Sequence, residues 1–306
     1  MNGAPRRLPA RIGIAALNLF MPGLGLLRLG RARAAFLCLG SVVAAYLLLI
    51  LFYAVVPELG FTGYAILAGL LILALLGAII ASMRLSWRSS RERGPVGRWS
   101  RWYVILLAVV AGALLFNLLT QLGHSFYKPF YLPAEAMAPT ILENDRIVAS
   151  MRLGRDIRRG DVLLFDTGGN TYIKRVAGLP GDRIAMVSGV VVLNGRPVPQ
   201  QLVGSEPADK AGAPGEARRL REQFPGEAAP HEIYDLGPTE YDDMPEQQVR
   251  SGHLFVLGDN RDRSADSRVP RSIHGVEQLP LANVRGRALF YTFGPSGRWG
   301  EPVVQR

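Results

Sequence analysis

The fold of the C-terminal half follows from two neighbouring stretches, Arg159-Gly-Asp-Val-Leu-Leu-Phe165 and Tyr172-Ile-Lys-Arg-Val-Ala-Gly-Leu-Pro-Gly-Asp182. Each holds a short β-prone run, and glycine, proline and aspartate stand beside it, as is typical of strands joined by tight turns. Side chains alternate between the two faces of a strand, so Tyr172, Lys174 and Val176 share one face. Both stretches therefore predict β-strands.

The same pattern continues outward over residues 123–306. The further β-prone runs lie at Arg146 to Ser150, Asp161 to Phe165, Thr171 to Ala177, Val190 to Leu193, His253 to Leu257 and Arg285 to Phe293. Short strands separated by turn residues predict an antiparallel all-β domain. Residues from about 197 to 250 are richer in proline, glycine, alanine and acids, and we interpret them as an insertion or a loosely ordered subdomain.

Apolar residues concentrate between Ile12 and Leu122, in a chain that is 49% hydrophobic. A transmembrane helix takes about 20 apolar residues. Three runs are long enough, at residues 34–56, 61–83 and 102–122. These runs predict that residues 1–122 form a membrane region with three transmembrane α-helices.

A fourth apolar stretch, residues 12–27, is shorter and contains Pro22. Arginines stand on both sides of it, at Arg6, Arg7, Arg11, Arg28, Arg31 and Arg33. This arrangement favours a re-entrant or interfacial segment over a crossing, although a crossing stays open.

Charge around the spans predicts their orientation. Residues 84–101 hold six arginines, whereas the turn at residues 57–60 has only the charge of Glu58. The positive-inside rule makes the arginine-rich loop cytoplasmic, so the third span leads to an extracytoplasmic C-terminal domain. In a bacterium this is a multi-pass protein of the inner (plasma) membrane with a periplasmic domain. The net charge of +10 then suits lipid headgroups better than nucleic acid.

Three stretches of the C-terminal half resemble the characteristic boxes of type I signal peptidases (leader peptidases, peptidase S26 family). They are Pro133-Ala-Glu-Ala-Met-Ala-Pro-Thr-Ile141, residues 159–182, and Gly258-Asp-Asn-Arg-Asp-Arg-Ser-Ala-Asp-Ser-Arg268. The resemblance covers roughly residues 128–293. It implies a membrane-anchored serine endopeptidase that removes signal peptides from exported preproteins by a Ser/Lys dyad. The expected partners are signal-peptide-bearing preproteins or similar extended peptides, together with the lipid bilayer.

Lys174 is the candidate general base. If the face that it shares with Tyr172 and Val176 is buried, desolvation lowers the pKa of its ammonium, and the neutral amine becomes available near physiological pH. The alternative is an ordinary surface lysine. The resemblance implies the catalytic role for Lys174.

The third stretch supplies candidate supporting residues. By the resemblance, Ser264 hydrogen-bonds the lysine, and Asp266 and Arg268 form an ion pair at the site. Asp259 and Arg261 join this supporting group. The alternative is that these charged side chains only hold the loop together.

The first stretch departs from the family at the position that matters most for chemistry. The family often has Ser-Gly-Ser-Met there, with the second serine as nucleophile, whereas this chain has Ala134, Glu135 and Ala136 before Met137. A methyl group cannot attack a carbonyl. Natural divergence and an engineered Ser→Ala change both explain Ala136. The loop retains Met137, Pro139 and Thr140, and Glu135 is a potential partner for Lys174.

Two hypotheses follow from Ala136. The first is a signal peptidase with another nucleophile, although the nearby hydroxyls of Ser125, Thr140, Ser150 and Ser264 do not stand in the expected register. The second is a catalytically inactive homologue that binds peptide segments or acts as an assembly partner. A transporter is disfavoured because no charge interrupts the three spans.

Metal and cofactor sites are not predicted. The four histidines show no ligand spacing, and we interpret them as surface or loop residues. The single cysteine, Cys38, rules out an intramolecular disulfide. No nucleotide-binding motif is present.

Overall fold

A computed structural model describes residues 7–56, 59–91, 98–152, 156–211 and 214–305. The chain forms two compact units. One comprises Met1–Val56 and Thr62–His124, and the other comprises Pro57–Phe61 and Ser125–Arg306. The second unit thus begins two residues after the predicted boundary.

The first unit is helical. Its helices are α1 (Leu8–Ala16), α2 (Leu24–Arg28), α3 (Ala32–Val55), α4 (Phe61–Ser89) and α5 (Trp102–His124). The last three are long and apolar enough to cross a membrane, which confirms the predicted apolar helices. The bounds differ most at α4, which continues six residues past residue 83. The predicted arginine-rich loop therefore begins as helix, while Glu58, Arg6 and Arg93 lie outside the described residues.

The segment predicted to be re-entrant or interfacial forms two short helices around a break. Gly23 at this break has φ of 94°, a conformation that glycine tolerates without a steric penalty. The buried side chain of Asn18 accepts hydrogen bonds from the N–H groups of Gly23 (3.0 Å) and Gly25 (3.1 Å). It also donates to the Ser86 hydroxyl of α4 at 3.0 Å. Asn18 therefore satisfies the backbone at the break and ties it to α4.

The second unit is an antiparallel β-structure. Its strands are β1 (Tyr127–Leu132), β2 (Asp145–Ser150), β3 (Val162–Thr167), β4 (Asn170–Gly178), β5 (Arg183–Val187), β6 (Val190–Leu193), β7 (Arg196–Pro197), β8 (Gln200–Pro207), β9 (Glu216–Glu222), β10 (His231–Asp235), β11 (Met244–Gln248), β12 (His253–Leu257), β13 (Leu279–Pro280) and β14 (Val284–Phe293). The largest sheet has seven strands in the order β1-β2-β14-β3-β4-β12-β13. The predicted antiparallel all-β domain is therefore confirmed.

Strand β3 lies at the centre of the large sheet and is covered on both faces. Val162 and Leu164 pack in one apolar cluster with Ile147 and Tyr291, whereas Leu163 packs in the cluster on the other face. A strand buried on both faces shows a continuous apolar run, as the Val-Leu-Leu-Phe sequence does. Its neighbour β4 is thereby drawn into the core, and the side chains in the middle of β4 lose contact with water.

Residues 197–250 are ordered as strands in the described part of this segment. Strands β10, β9 and β8 form a three-stranded sheet, and β11 joins a second sheet with β5, β6 and β7. Charged pairs replace the usual apolar alternation, since Arg221 of β9 bonds Glu232 of β10 at 2.9 Å and Arg219 lies 3.4 Å from Glu206 of β8. Cross-strand ion pairs of this kind stabilise a sheet without a hydrophobic pattern. The interpretation as a loosely ordered subdomain is wrong for this reason.

Candidate active site

Lys174 is buried in the middle of β4. Its side chain is on the same face as Tyr172, with Nζ 5.9 Å from the centre of that ring, and the residue is 3% exposed. Burial lowers the pKa of Lys174 to about 8, while the negative charges of Asp266 and Asp259 oppose this shift and the Arg268 cation adds to it. Among the described residues, Lys174 forms no ion pair. Its amine is therefore available in the neutral form near physiological pH.

Asp266 and Arg268 form a buried ion pair within the loop of residues 258–268. Their side chains lie 2.9 Å apart, and Asp266 also accepts a hydrogen bond from the N–H of Gly258 at 3.0 Å. Arg268 donates to the carbonyl of Arg261. Although burial raises the pKa of Asp266, the Arg268 charge and these hydrogen bonds lower it overall. The ion pair and these hydrogen bonds hold the loop in one conformation. They also fix the Asp266 carboxylate where its charge favours the protonated form of Lys174.

Asp259 belongs to a second buried pair, with Arg175. The guanidinium donates to both carboxylate oxygens, at 2.8 Å and 2.6 Å. It also donates to the carbonyl of Gly160 at 2.9 Å and to the Thr140 hydroxyl at 3.2 Å. Arg175 therefore connects β4, the 258–268 loop and the end of the first stretch.

Sequence reasoning did not identify Arg175. It follows Lys174 directly, so the two side chains take opposite faces of β4. The apolar run of β3 next to them was the available signal, since a strand beside a doubly buried strand cannot expose both faces. A charged residue on each face then requires at least one buried ion pair.

Ala136 is half-buried and held by the 258–268 loop through its backbone. Its carbonyl accepts a hydrogen bond from the N–H of Asn260 at 3.2 Å, and the Asn260 side chain donates to the Glu135 carbonyl at 3.3 Å. Met137, Pro139 and Thr140 are buried behind it, whereas Ala134 is exposed. Residue 136 and Lys174 are thus joined through one loop, and the side chain at residue 136 is a methyl group.

Glu135 does not pair with Lys174. Its carboxylate lies 3.3 Å from the Arg263 guanidinium, and both side chains are partly exposed. Because the pair reaches across from the first stretch to the 258–268 loop, it faces solvent rather than the buried amine. The potential pairing of Glu135 with Lys174 is therefore not formed, and the pKa of Lys174 is lowered by burial.

Gly258 stands where no side chain fits. A Cβ at this position would overlap the side chain of Ser264 and the carbonyl oxygen of Ala136. The Ser264 hydroxyl is buried and has no hydrogen-bond partner among the described residues. The expected hydrogen bond from Ser264 to Lys174 is therefore not formed, and a free hydroxyl lies in the crowded space next to residue 136.

Arg261 faces away from Lys174, into a cluster that sequence reasoning missed. It forms a buried ion pair with Glu222 of β9. His231 of β10 lies in the same cluster, 3.1 Å from Glu222 and 2.9 Å from Glu227. The interpretation of the histidines as surface or loop residues is wrong for His231, because segment 197–250 folds over it. Among the described residues, no group of three or more His, Cys, Asp or Glu is arranged to hold a metal ion.

Similarity to known proteins agrees with this geometry. The family model described as signal peptidase, peptidase S26, matches residues 98–293. The chain belongs to this family. It is 33% identical over 229 residues to signal peptidase I of Pseudomonas fluorescens, which covers 61% of this chain and 75% of that one. It is 31% identical over 201 residues to signal peptidase I U of Bacillus subtilis, covering 62% and 88%.

A crystal structure of a signal peptidase I from Enterococcus faecalis matches 44% of this chain and 97% of its own length, at 24% identity and a TM-score of 0.27. The family is one of hydrolases. The residues that its model matches include Ala136, Lys174 and the whole 258–268 loop. Three helices in the described residues are apolar enough to anchor this member in a membrane.

Proposed function

We propose that this protein binds the signal-peptide segments of exported preproteins in the bacterial plasma membrane and does not cleave them by a Ser/Lys dyad. The bound segment lies beside Ala136, against the surface formed by the stretch of residues 133–141 and the 258–268 loop that is hydrogen-bonded to it. The C-terminal unit is extracytoplasmic in this proposal, where such segments emerge. The observation that supports it is the methyl side chain at residue 136, next to a loop whose Asp259 and Asp266 also interact with the buried Lys174.

The Ser/Lys reaction explains why one missing oxygen matters. A serine oxygen attacks the scissile carbonyl carbon while the neutral lysine takes its proton; the C–N bond then breaks, and the amine leaves with that proton. Ala136 has no oxygen and no proton to give, so Lys174 has nothing to activate at this position. Recognition depends instead on the surface beside residue 136 that would bind the peptide, here called the groove, and loss of a nucleophile leaves it intact.

Cleavage through another hydroxyl is the second candidate function. The observation that favours it is the buried Ser264 hydroxyl, which has no hydrogen-bond partner among the described residues and lies next to the Ala136 carbonyl. In that reaction the Ser264 oxygen attacks the scissile carbonyl carbon while Lys174 takes its proton; the C–N bond breaks, the amine leaves with that proton, and water then hydrolyses the ester. The argument against this candidate is the position of Ser264, because a nucleophilic oxygen must be placed against the scissile carbonyl at the ångström scale.

The test compares binding and cleavage of one ligand. A fluorescent peptide with a signal sequence and small residues before the cleavage site is added to the purified full-length protein in detergent. Anisotropy measures binding, and mass spectrometry measures cleavage. We expect binding without cleavage. Absence of binding would overturn the proposed function.

Matched variants identify the origin of any cleavage. Cleavage that persists in Lys174→Ala comes from a contaminating peptidase, whereas cleavage that disappears in both Lys174→Ala and Ser264→Ala supports the second candidate. We expect Ala136→Ser to gain cleavage and the double variant Ala136→Ser/Lys174→Ala to lose it. No gain in Ala136→Ser would mean that the groove does not present a peptide bond to residue 136.

A further inference from the structure

The cluster around His231 contains buried charged groups that have no part in the reaction at Lys174. His231 is 8% exposed, and its ring lies between two carboxylates. Nε2 is 3.1 Å from Glu222, and Nδ1 is 2.9 Å from Glu227. A neutral imidazole has one N–H, so one of its nitrogens would direct a lone pair at a carboxylate. Only the imidazolium donates to both.

Charge balance supports the same protonation state. The groups that face the ring come from four elements: Glu222 of β9, Glu227 of the β9–β10 turn, Arg175 of β4, and Asp259 and Arg261 of the 258–268 loop. These are three carboxylates and two guanidiniums, so with a neutral histidine the five groups carry one net negative charge, which is opposed by the Lys174 ammonium that interacts with Asp259 while that group is protonated. An uncompensated buried charge is strongly unfavourable. A histidine cation makes the cluster neutral.

Two chains of contacts connect this cluster to the proposed peptide site. Through Glu222, His231 reaches Arg261, whose carbonyl accepts a hydrogen bond from Arg268. Through Glu227, it reaches Arg175, which lies 3.5 Å away and holds Thr140. The first series of contacts thus ends in the 258–268 loop, and the second ends in the stretch of residues 133–141, which contains residue 136.

The backbone of β10 adds a direct connection. The N–H of Tyr234 donates to the carbonyl of Asp259 at 2.8 Å, and the N–H of Leu236 donates to the Asp262 carboxylate at 2.5 Å. Residues 231–236 therefore support the loop that holds Ala136 through Asn260. A change in the position of β10 is transmitted to the loop without an intermediate layer.

Water reaches the cluster through a cleft of about 440 Å³. Its lining includes His231, Glu227, Arg175, Pro139 and Thr140. The proton on His231 can therefore exchange with solvent although the ring is buried.

We propose that His231, as a cation between Glu222 and Glu227, is a positioning residue that holds both segments flanking residue 136, so that peptide binding weakens when its proton is lost. This inference rests on the proposed function. It assigns a role to residues 197–250, which attach to the site through His231 and β10.

The direction of the pH effect follows from the surroundings of the ring. Burial and the Arg175 charge lower the pKa of His231, but the hydrogen bonds and charges of Glu222 and Glu227 outweigh them and raise it above 6.5. A group whose pKa is raised on folding stabilises the fold below its unfolded pKa and loses this effect as pH rises through the folded pKa. Peptide binding is therefore tight at pH 6 and weakens as pH rises through the raised pKa of His231.

Lys174, with its pKa lowered to about 8, also loses its proton as pH rises, so the experiment must separate the two groups. His231→Arg keeps a positive charge at every pH, and His231→Gln is neutral at every pH, while Lys174 is unchanged in both. His253→Gln is the matched control, because the hydrogen bond of the His253 ring in the described part of the chain is to the carbonyl of Ser251, two residues before it and away from the cluster. All proteins are the full chain in detergent, and the probe is the fluorescent signal peptide described above.

We expect the peptide Kd of the wild type and of His253→Gln to rise about tenfold more between pH 6 and pH 9 than that of His231→Arg, which is within the range for a positioning residue. His231→Gln should bind weakly at both pH values. Equal pH profiles for the wild type and His231→Arg would overturn the inference.

Hydrogen exchange separates failure of this inference from failure of the proposed function. Amide exchange in residues 132–141 and 256–268, corrected for the intrinsic effect of pH, should rise from pH 6 to pH 9 in the wild type and stay low in His231→Arg. This comparison needs neither bound peptide nor the glutamine variant. If the peptide does not bind but the exchange difference is present, the proposed function fails and the positioning role stands; equal exchange would overturn that role.

Discussion

Lys174→Met tests the cost of burying the candidate base. The pKa of Lys174 falls from 10.5 to about 8 in the folded protein, mainly through burial. At 1.36 kcal/mol for each pKa unit, this difference corresponds to a penalty of about 3 kcal/mol for keeping the ammonium in the fold. Methionine has a similar length and no charge. We therefore expect Lys174→Met to stabilise the folded β-unit by about 3 kcal/mol at pH 6.5, even though it removes the base.

The sign of the pH dependence makes this prediction specific. Below pH 8, Lys174 is protonated in both the folded and the unfolded chain, so the penalty is complete. Between pH 8 and 10.5 the folded chain binds fewer protons than the unfolded chain, and its stability rises with pH. The advantage of Lys174→Met therefore shrinks over this range.

Urea unfolding of the full chain in detergent, followed by the β-sheet signal in circular dichroism, measures the difference at pH 6.5, 8 and 9.5. Lys128→Met is the control, because Lys128 is exposed on β1 and its replacement changes stability by about 0.5 kcal/mol or less. The partner charges do not obscure the result, since Asp266 and Asp259 retain Arg268 and Arg175. A destabilised Lys174→Met at pH 6.5, or a pH-independent gain, would refute the reasoning.

Three further predictions concern the neighbouring groups and the topology. Asp259→Asn removes the closest buried counter-charge of Arg175 and leaves it with Glu227 at 3.5 Å, so urea unfolding should show a loss of about 3–5 kcal/mol. Gly258→Ala places a methyl group in occupied space, so it should cost about 1–3 kcal/mol and weaken peptide binding, whereas unchanged binding would contradict the crowding at this position. With the native cysteine replaced, a membrane-impermeant thiol reagent added to intact cells should label Leu202→Cys and leave Arg98→Cys unlabelled; the reverse pattern would invert the orientation.

The sequence is most predictive where one physical effect dominates. The three long helices follow from apolar runs that no charge interrupts, and the strands of the large sheet follow from short apolar runs between turns. Lys174 follows from alternation next to the apolar run of β3. Helix ends are less predictable. α4 continues to Ser89 through a stretch that includes Arg84 and Arg88, which a hydropathy pattern excludes but a helix accepts.

Long-range charge pairing is what the sequence did not reveal. Glu135 pairs with Arg263, which is 128 residues away, and no local pattern distinguishes this partner from Lys174. His231 and Glu222 are ordinary polar residues until β9 and β10 fold together. The strands of residues 197–250 were missed for the same reason, since their cross-strand contacts are made largely by arginine and glutamate.

The distribution of buried charge explains how one missing oxygen can separate binding from catalysis. Buried ion pairs contribute little net stability compared with apolar residues of similar size, so Arg175–Asp259 and Asp266–Arg268 are poorly explained as stabilising features alone. These pairs do hold their side chains in fixed positions, because separating the partners leaves an uncompensated buried charge. They bring the 258–268 loop to Lys174, and Asn260 brings the same loop to Ala136. None of these contacts uses the side chain of residue 136, so the site keeps its shape with a methyl group there. A serine at this position would therefore enter a site already arranged around it, and cleavage by Ala136→Ser depends on chemistry rather than on refolding of the loop.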